Sequence, residues 1–175
     1  AGPLRQDGVM RPKLWGPLSP LTLALALVVF GIDQLHKYWM LDIYGIIEKA
    51  PVRITSFFDL VMVWNKGVSY GLLTTHVQEL LIALSLAIAL MLWIWAAGAR
   101  RPLAAAALGL VIGGALGNAL DRLTRGAVAD FFHFHYQQFS WYVFNVADIA
   151  IVAGVALLIY ESLVMGEPDN RRGKA

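Results

Sequence analysis

The sequence predicts an all-α integral membrane protein: four transmembrane helices with a small extracytoplasmic β-strand segment lying at the membrane surface. Three observations predict it. The 175 residues are 58% apolar and only 15% charged, with a mean hydropathy of +0.61, which departs from a soluble composition. Stretches 14–32, 80–99 and 102–120 contain no Asp, Glu, Lys or Arg, and a fourth apolar stretch runs from about 145 to 165; each is long enough to cross roughly 30 Å of hydrocarbon as a helix of roughly 20 residues. Between the first two, residues 52–54 alternate and residues 60–64 run apolar, with turn residues between, the pattern of strands.

In chain order, residues 1–13 form a cytoplasmic tail, of which AGPLRQDGV reads as a scar ahead of Met10. A membrane domain follows over 14–165, with helices at about 17–38, 77–98, 102–122 and 144–165 and outer segments at 41–76 and 123–143. Residues 166–175 form a second cytoplasmic tail. The first apolar stretch, preceded by Arg11 and Lys13, has a signal-peptide look, but GIDQLHK follows it in place of a small-x-small cleavage site, so it reads as a retained helix. The fourth helix is peculiar: Asp148 and Glu161 are separated by 12 apolar-rich residues, roughly 18 Å of helix at about 1.5 Å per residue. Asp148 therefore lies at or inside the hydrocarbon edge.

Orientation follows from the basic residues. Arg5, Arg11, Lys13, Arg100, Arg101, Arg171, Arg172 and Lys174 fall on one side, eight of the 14 Lys and Arg in the chain. The positive-inside rule makes that side, with both termini, cytoplasmic. Trp15, Trp93, Trp95 and Tyr160 then fall toward the inner face and Tyr38, Trp39, Trp141 and Tyr142 toward the outer, as aromatic belts require. A net charge of +2 with no long basic run gives no footprint for nucleic acid. The absence of cysteine removes disulfides, thiolate nucleophiles and Cys-ligated zinc.

This topology gathers the polar residues of the helices into one outer layer: Asp33 and Lys37 on helix one, Asn118, Asp121 and Arg122 on helix three, Asn145 and Asp148 on helix four. Ionisable groups at such depth are costly and mark functional candidates by default. Structural readings stand beside the functional ones. Asp33 and Lys37 are spaced i,i+4 for an ion pair; Asp121 with Arg122 suggests a buried structural network, since Arg is the usual partner of a buried carboxylate. Gly109, Gly113 and Gly117 recur every four residues, a stripe that lets helices approach closely. Asp148 has no basic residue within four positions, and Asp130, inside the apolar run GAVADFF, has none closer than Arg125. Two such carboxylates brought together would share a proton, as general acid and base chemistry requires; spacing alone leaves structural acids as the competing reading. His133 and His135, two apart, would face one way on a strand and could ligate a metal with Asp130, but an HxH pair alone is common, and no metal is assigned. Ser56, Ser69 and Ser140 lack a nucleophile motif.

Five motifs then occur in one order: DQLHK at 33–37, NKGVSYG at 65–71, GNALDR at 117–122, GAVADFF at 126–132 and FNVADIAI at 144–151. On a four-helix frame, these make the chain resemble the lipoprotein signal peptidase family, also called signal peptidase II, along nearly its whole length. The family more often has small residues and a Phe where this chain has Val68 and Tyr70. The resemblance implies an aspartic endopeptidase of the bacterial inner membrane, its site toward the outer face. Its substrates would be diacylglyceryl-modified prolipoproteins, cut just before the lipidated cysteine. It implies Asp130 and Asp148 as the catalytic pair, Asn65, Asn118, Arg122 and Asn145 as groups that position substrate, and Asp33 as a supporting acid, with Lys37, Gly67 and Asp121 in the same motifs. It implies no cofactor, membrane lipids as surroundings, globomycin as an inhibitor occupying the site, and Trp64 and Tyr70 as anchors of the outer segment. A noncatalytic transporter subunit or assembly factor is the alternative from another class, and a metal-dependent intramembrane hydrolase a second.

Overall fold

The computed structural model describes residues 13–67 and 76–165; Val68, Ser69, Tyr70, Arg5, Arg11, Arg171, Arg172 and Lys174, all used above, lie outside that range. The described helices are α1 (Ser19–Tyr38), continued by a wider π-helical turn over Trp39–Ile43, a single turn α2 (Ile46–Lys49), α3 (Val77–Ala97), α4 (Pro102–Arg125) and α5 (Val146–Met165). Four of them are long and apolar enough to cross a membrane. Leu27, Leu80, Val152 and Leu163 are all exposed on their outer faces, a surface that belongs against lipid rather than water.

The central helix is α4: 67% of an 18-residue apolar stretch within it is buried in the protein, against 11 to 28% of the like stretches in the other three. Its glycines explain how. A Cβ on Gly113 would stand 2.6 Å from Ala26 O of α1, and one on Gly114 would stand 2.5 Å from Ala147 O of α5. Two helices thus approach α4 at backbone contact, the close packing that small residues permit. At Gly117 the same device has a second consequence, because a Cβ there would meet Asp33 Oδ2 at 2.5 Å; the end of the stripe makes room for an acid.

One end of the bundle joins the start of α1 to the α3–α4 hinge and the end of α5. There Trp93 Nε1 donates to Leu14 O at 2.9 Å, Trp15 packs on Trp93, and Arg101 lies 3.7 Å from Glu161. The other end carries an antiparallel sheet, ordered β1 (Val52–Arg53), β2 (Phe58–Asn65), β3 (Val128–Tyr136), β4 (Phe139–Ser140). Ala129 and Phe131 of β3 are buried against Met40 and Ile46, so the sheet is seated on the extended end of α1. Burying Phe131, Met40 and Ile46 contributes about 1.5–3 kcal/mol each.

Three boundaries differ from expectation. The first helix runs past 38 to Ile43 because Tyr44 N reaches Trp39 O at 2.7 Å, an i→i+5 bond that adds a π turn. Helix α4 continues to Arg125, whose guanidinium pairs with Asp121 at 2.7 Å, i,i+4. The third correction is the longest strand: β3 arises in the segment 123–143, for which the sequence pattern specified no strand.

Candidate active site

Beneath the sheet lies a charge-balanced ion network with no side-chain exposure for Asp33, Lys37 or Asp121. Lys37 Nζ donates to Asp33 Oδ2 and lies equally close, 2.8 Å, to Asp121 Oδ2; its third contact is Asn118 Oδ1 at 3.3 Å. Asp121 also takes Arg125 and accepts Ala129 N at 3.2 Å, tying β3 to α4. The expected Asp33–Lys37 pair is present. The expected Asp121–Arg122 partnership is not, because neighbours on a helix point about 100° apart; Asp121 turns to Lys37 and Arg125 instead. Gln34, which sequence reasoning passed over within DQLHK, donates from Nε2 to Asp33, Asp121 and Gly117 O.

Above this network stands the acid pair. Asn145 and Asp148 form a reciprocal cap at the start of α5: Asp148 N donates to Asn145 Oδ1 at 3.1 Å, and Asn145 N to Asp148 Oδ2 at 3.2 Å. This is the capping-box arrangement, with Asp at the third helical position. Asp148 thus has a local partner after all, and N-x-x-D before an apolar run was the readable signal for it. Asp33 Oδ1 accepts the neighbouring N–H of Ala147 at 3.0 Å. An acid of α1 therefore satisfies one of the free amides that begin α5 and holds that helix end in place.

Asp130 comes from β3. Its Oδ1 accepts Asn145 Nδ2 at 2.6 Å and its Oδ2 accepts Asn65 Nδ2 at 3.0 Å, while Asn118 Nδ2 donates to Asp148 Oδ1 at 2.8 Å. Asn145 Nδ2 also reaches Asn118 Oδ1 at 3.1 Å, so two amides link the two acids in a chain from Asp130 to Asp148. The Asn145 amide can have only one orientation, since its oxygen must face the Asp148 N–H. Neither Asp130 nor Asp148 has an ion pair among the described residues.

A bulge makes the Asn65 contact. In the β2–β3 register, Leu60 faces Phe132 but Val63 faces Asp130, so Val61 and Met62 together oppose Phe131. One extra residue reverses which side of the sheet the rest of β2 presents. Asn65, opposite Val128, becomes the diagonal neighbour of Asp130 on the same face.

Burial raises the Asp130 carboxyl to about 6 from an ordinary 3.8, with the Asp148 charge adding to the rise and the Asn65 and Asn145 amides opposing it. Asn65 Oδ1 accepts Gly67 N at 2.8 Å, and Gly67 sits at φ +77 with its missing Cβ 2.6 Å from Leu81 and 3.5 Å from Arg122 Nη2. Arg122 thus lies under this turn. Its Nη1 donates to Asn118 O at 3.3 Å, its Nε has no partner among the described residues, and it feels the charges of Asp130 and Asp148. A cavity of about 710 Å³ opens here, bordered by Asn65, Gly67, Asp130, His133, Ser140 and Trp141 among others.

Gly67→Ala is expected to strain this turn by about 1–3 kcal/mol and to loosen Asn65 from Asp130. Turnover should fall by roughly tenfold for each 1.4 kcal/mol lost at the site, with the melting temperature lowered by only about 2–4 °C per kcal/mol of strain. Equal losses in turnover and melting temperature would mean that the turn serves folding only.

The HxH pair does not join Asp130. Strand alternation puts Asp130 on one face of β3 and His133 and His135 on the other; His133 also borders the cavity beside Asp130, but the carboxylate grouped with the two histidines is Asp59.

A four-helix membrane bundle with a small sheet at one end is also the fold of two solved chains described as bacterial membrane enzymes. These, determined by the in meso method at 2.3 and 1.9 Å resolution, align with TM-scores of 0.71 and 0.73 at 22 and 24% identity; the alignments cover 89 and 88% of this chain and 94 and 98% of theirs. A sequence model of signal peptidase (SPase) II matches residues 25–164, and the chain belongs to that family. It is 45% identical to a lipoprotein signal peptidase of Methylocella silvestris, over 95% of both chains. With one of Methylorubrum extorquens it shares 49% identity over 78% of this chain and 82% of the relative. It is thus a bacterial membrane protein and a peptidase.

Proposed function

We propose that the chain is an aspartic endopeptidase that removes the signal peptide from prolipoproteins, cutting before a diacylglyceryl-modified cysteine, with Asp130 and Asp148 as its working pair. The observation that carries this is the chain of two amides between two acids: two carboxylates from different elements, linked through Asn145 and Asn118, without an ion pair among the described residues. Asp130, with its raised affinity for a proton, is the acid, and Asp148 the base. Asp148 takes a proton from water as the water oxygen attacks the scissile carbonyl. Asp130 gives its proton to the amide nitrogen as the C–N bond breaks. Arg122, without an ion pair among the described residues, lies under the Gly67 turn that borders the cavity and would bind the substrate backbone or an ester oxygen.

The positive-inside bias supports an orientation with both termini cytoplasmic and the sheet end outside. A lipid-modified substrate would then keep its acyl chains in the bilayer and offer its peptide bond at the interface. Globomycin, on this reading, occupies the cavity beside Asp130. Membership of a peptidase family weighs against a transporter subunit.

The test is incubation of purified protein with a diacylglyceryl-modified prolipoprotein. The shortened product should appear, unmodified precursor should stay whole, and strong chelation should not stop turnover. Loss of cleavage on chelation, in an Asp59→Asn chain as well as in the unaltered one, would move the chemistry to a metal.

Activity should follow pH as a bell, since only the singly protonated pair works, and the two apparent values belong to the pair. The alkaline limb is set by losing the proton near Asp130, so turnover should fall as pH rises through about 6 or somewhat above, because bound substrate dries the site further. A flat profile between about pH 5 and 9 would contradict a shared proton.

A further inference from the structure

The face of the sheet turned away from Asp130 carries a group of side chains that the proposed peptidase chemistry does not use. Asp59 and His133 are direct cross-strand partners in the β2–β3 register, and His135, two residues along the same strand, projects to the same side. One donor atom from each lies within 4.8 Å of the others. His135 Nε2 and Asp59 Oδ2 are 3.0 Å apart, yet among the described residues His135 Nε2 makes no well-aligned hydrogen bond, and neither does Asp59 Oδ1. Both are buried polar atoms without a hydrogen-bond partner there, which native structures rarely tolerate. The two side chains are mostly covered, at 21 and 14% exposure. The His133 ring is fixed by the Ser140 hydroxyl, 2.8 Å from its Nε2, and its plane lies 31° from that of His135. The nearby competing cation, Arg53, is 3.7 Å from Asp59 Oδ1 and 76% exposed, so it can swing into solvent.

We propose that Asp59, His133 and His135 bind a divalent transition cation of the zinc class, at a site distinct from the acid pair. Two imidazoles and a carboxylate are a zinc donor set, with water or substrate at the fourth position. Imidazole favours zinc, nickel or copper over calcium and magnesium. A tetrahedral ion about 2.0–2.2 Å from each donor sets the donors roughly 3.3 Å apart. The Asp59–His135 pair already has that spacing, and the third donor closes by side-chain rotation. The ion would clamp β2 to β3 at the Asp59–His133 rung, on the far side of the bulge that aims Asn65 at Asp130.

The probe is zinc itself, added to full-length, tag-free protein in detergent and followed by titration calorimetry and thermal melting. One zinc should bind per chain and raise the melting temperature, and equimolar calcium should do neither. Asp59→Asn and His135→Gln should each weaken zinc binding by more than the roughly 10–100-fold that losing a supporting shell residue costs, and should abolish the thermal shift. Should either variant fail to accumulate, zinc-dependent shifts of the His133 and His135 ring resonances in the unaltered protein decide the matter, and their absence overturns the site. It is also overturned if zinc does not bind, if both variants bind as before, or if Asp130→Asn rather than Asp59→Asn removes the binding. Because these readouts are independent of cleavage, the site stands or falls separately from the peptidase assignment.

Discussion

Asp130→Asn and Asp148→Asn should each lower turnover per folded molecule by about 10²–10⁴-fold, the range that positioned proton transfer supplies. The double variant should be little worse than either single one, because groups acting as one unit are not additive. The substitutions are not silent in the network. Both oxygens of Asp130 accept amide N–H groups, from Asn145 and Asn65, and both oxygens of Asp148 accept as well, from Asn118 and from Asn145 N. Replacing one oxygen by NH₂ sets donor against donor at a cost of about 1–3 kcal/mol. Expression and melting temperature will therefore drop somewhat in both variants, and the decisive quantity is specific activity in the folded fraction, with binding of the lipidated substrate retained. Near-normal cleavage by either variant, in a preparation free of native enzyme, would defeat the assignment. A variant that binds no substrate at all would point to a positioning role instead.

Lys37→Met should destabilise the protein by about 3–5 kcal/mol, the usual cost of removing one partner from a buried ion cluster. Lys37 is the charge between Asp33 and Asp121, at 2.8 Å from each and with no side-chain exposure. Without it, two carboxylates face each other with only Arg125 to balance them. The loss reaches the site because the same network positions it: Asp33 holds Ala147 N at the start of α5, and Asp121 holds Ala129 N beside Asp130. Little folded protein should accumulate. A combined Lys37→Met, Asp33→Asn, Asp121→Asn chain, which removes the charges together, should recover part of the stability. If Lys37→Met alone melts like the unaltered protein while losing activity, Lys37 acts on the reaction and not on the fold.

Much of the frame was legible in the residues. Charge-free stretches of bilayer length have one satisfactory conformation in hydrocarbon, since a helix satisfies its own backbone, and the observed helices fall within a few residues of those expected. The i,i+4 pair of Asp33 and Lys37 is local geometry and was read correctly. So is the N-x-x-D cap of Asn145 and Asp148, which the sequence contained although attention went to the absence of a positive charge. The motifs named the polar residues of the site as a set.

What the sequence could not supply is how separate elements face one another. Asp121 chose Lys37 and Arg125 over its neighbour Arg122 because helix rotation relative to α1 decides which side chains meet. The strand β3 begins in the unalternating run Val128–Phe131 before the alternation of Phe132–His135, and it gains its ladder from β2 and its cover from Met40 and Ile46. The bulge between Leu60 and Val63 shows the reason most directly. Asp59 and Asn65 are six residues apart and in a regular strand would share a face; one unpaired residue sends Asp59 to the histidines and Asn65 to Asp130. Local propensity is a property of neighbouring residues and is written along the chain. Register between strands is decided by which pairing buries the better face, a balance that only the folded chain strikes.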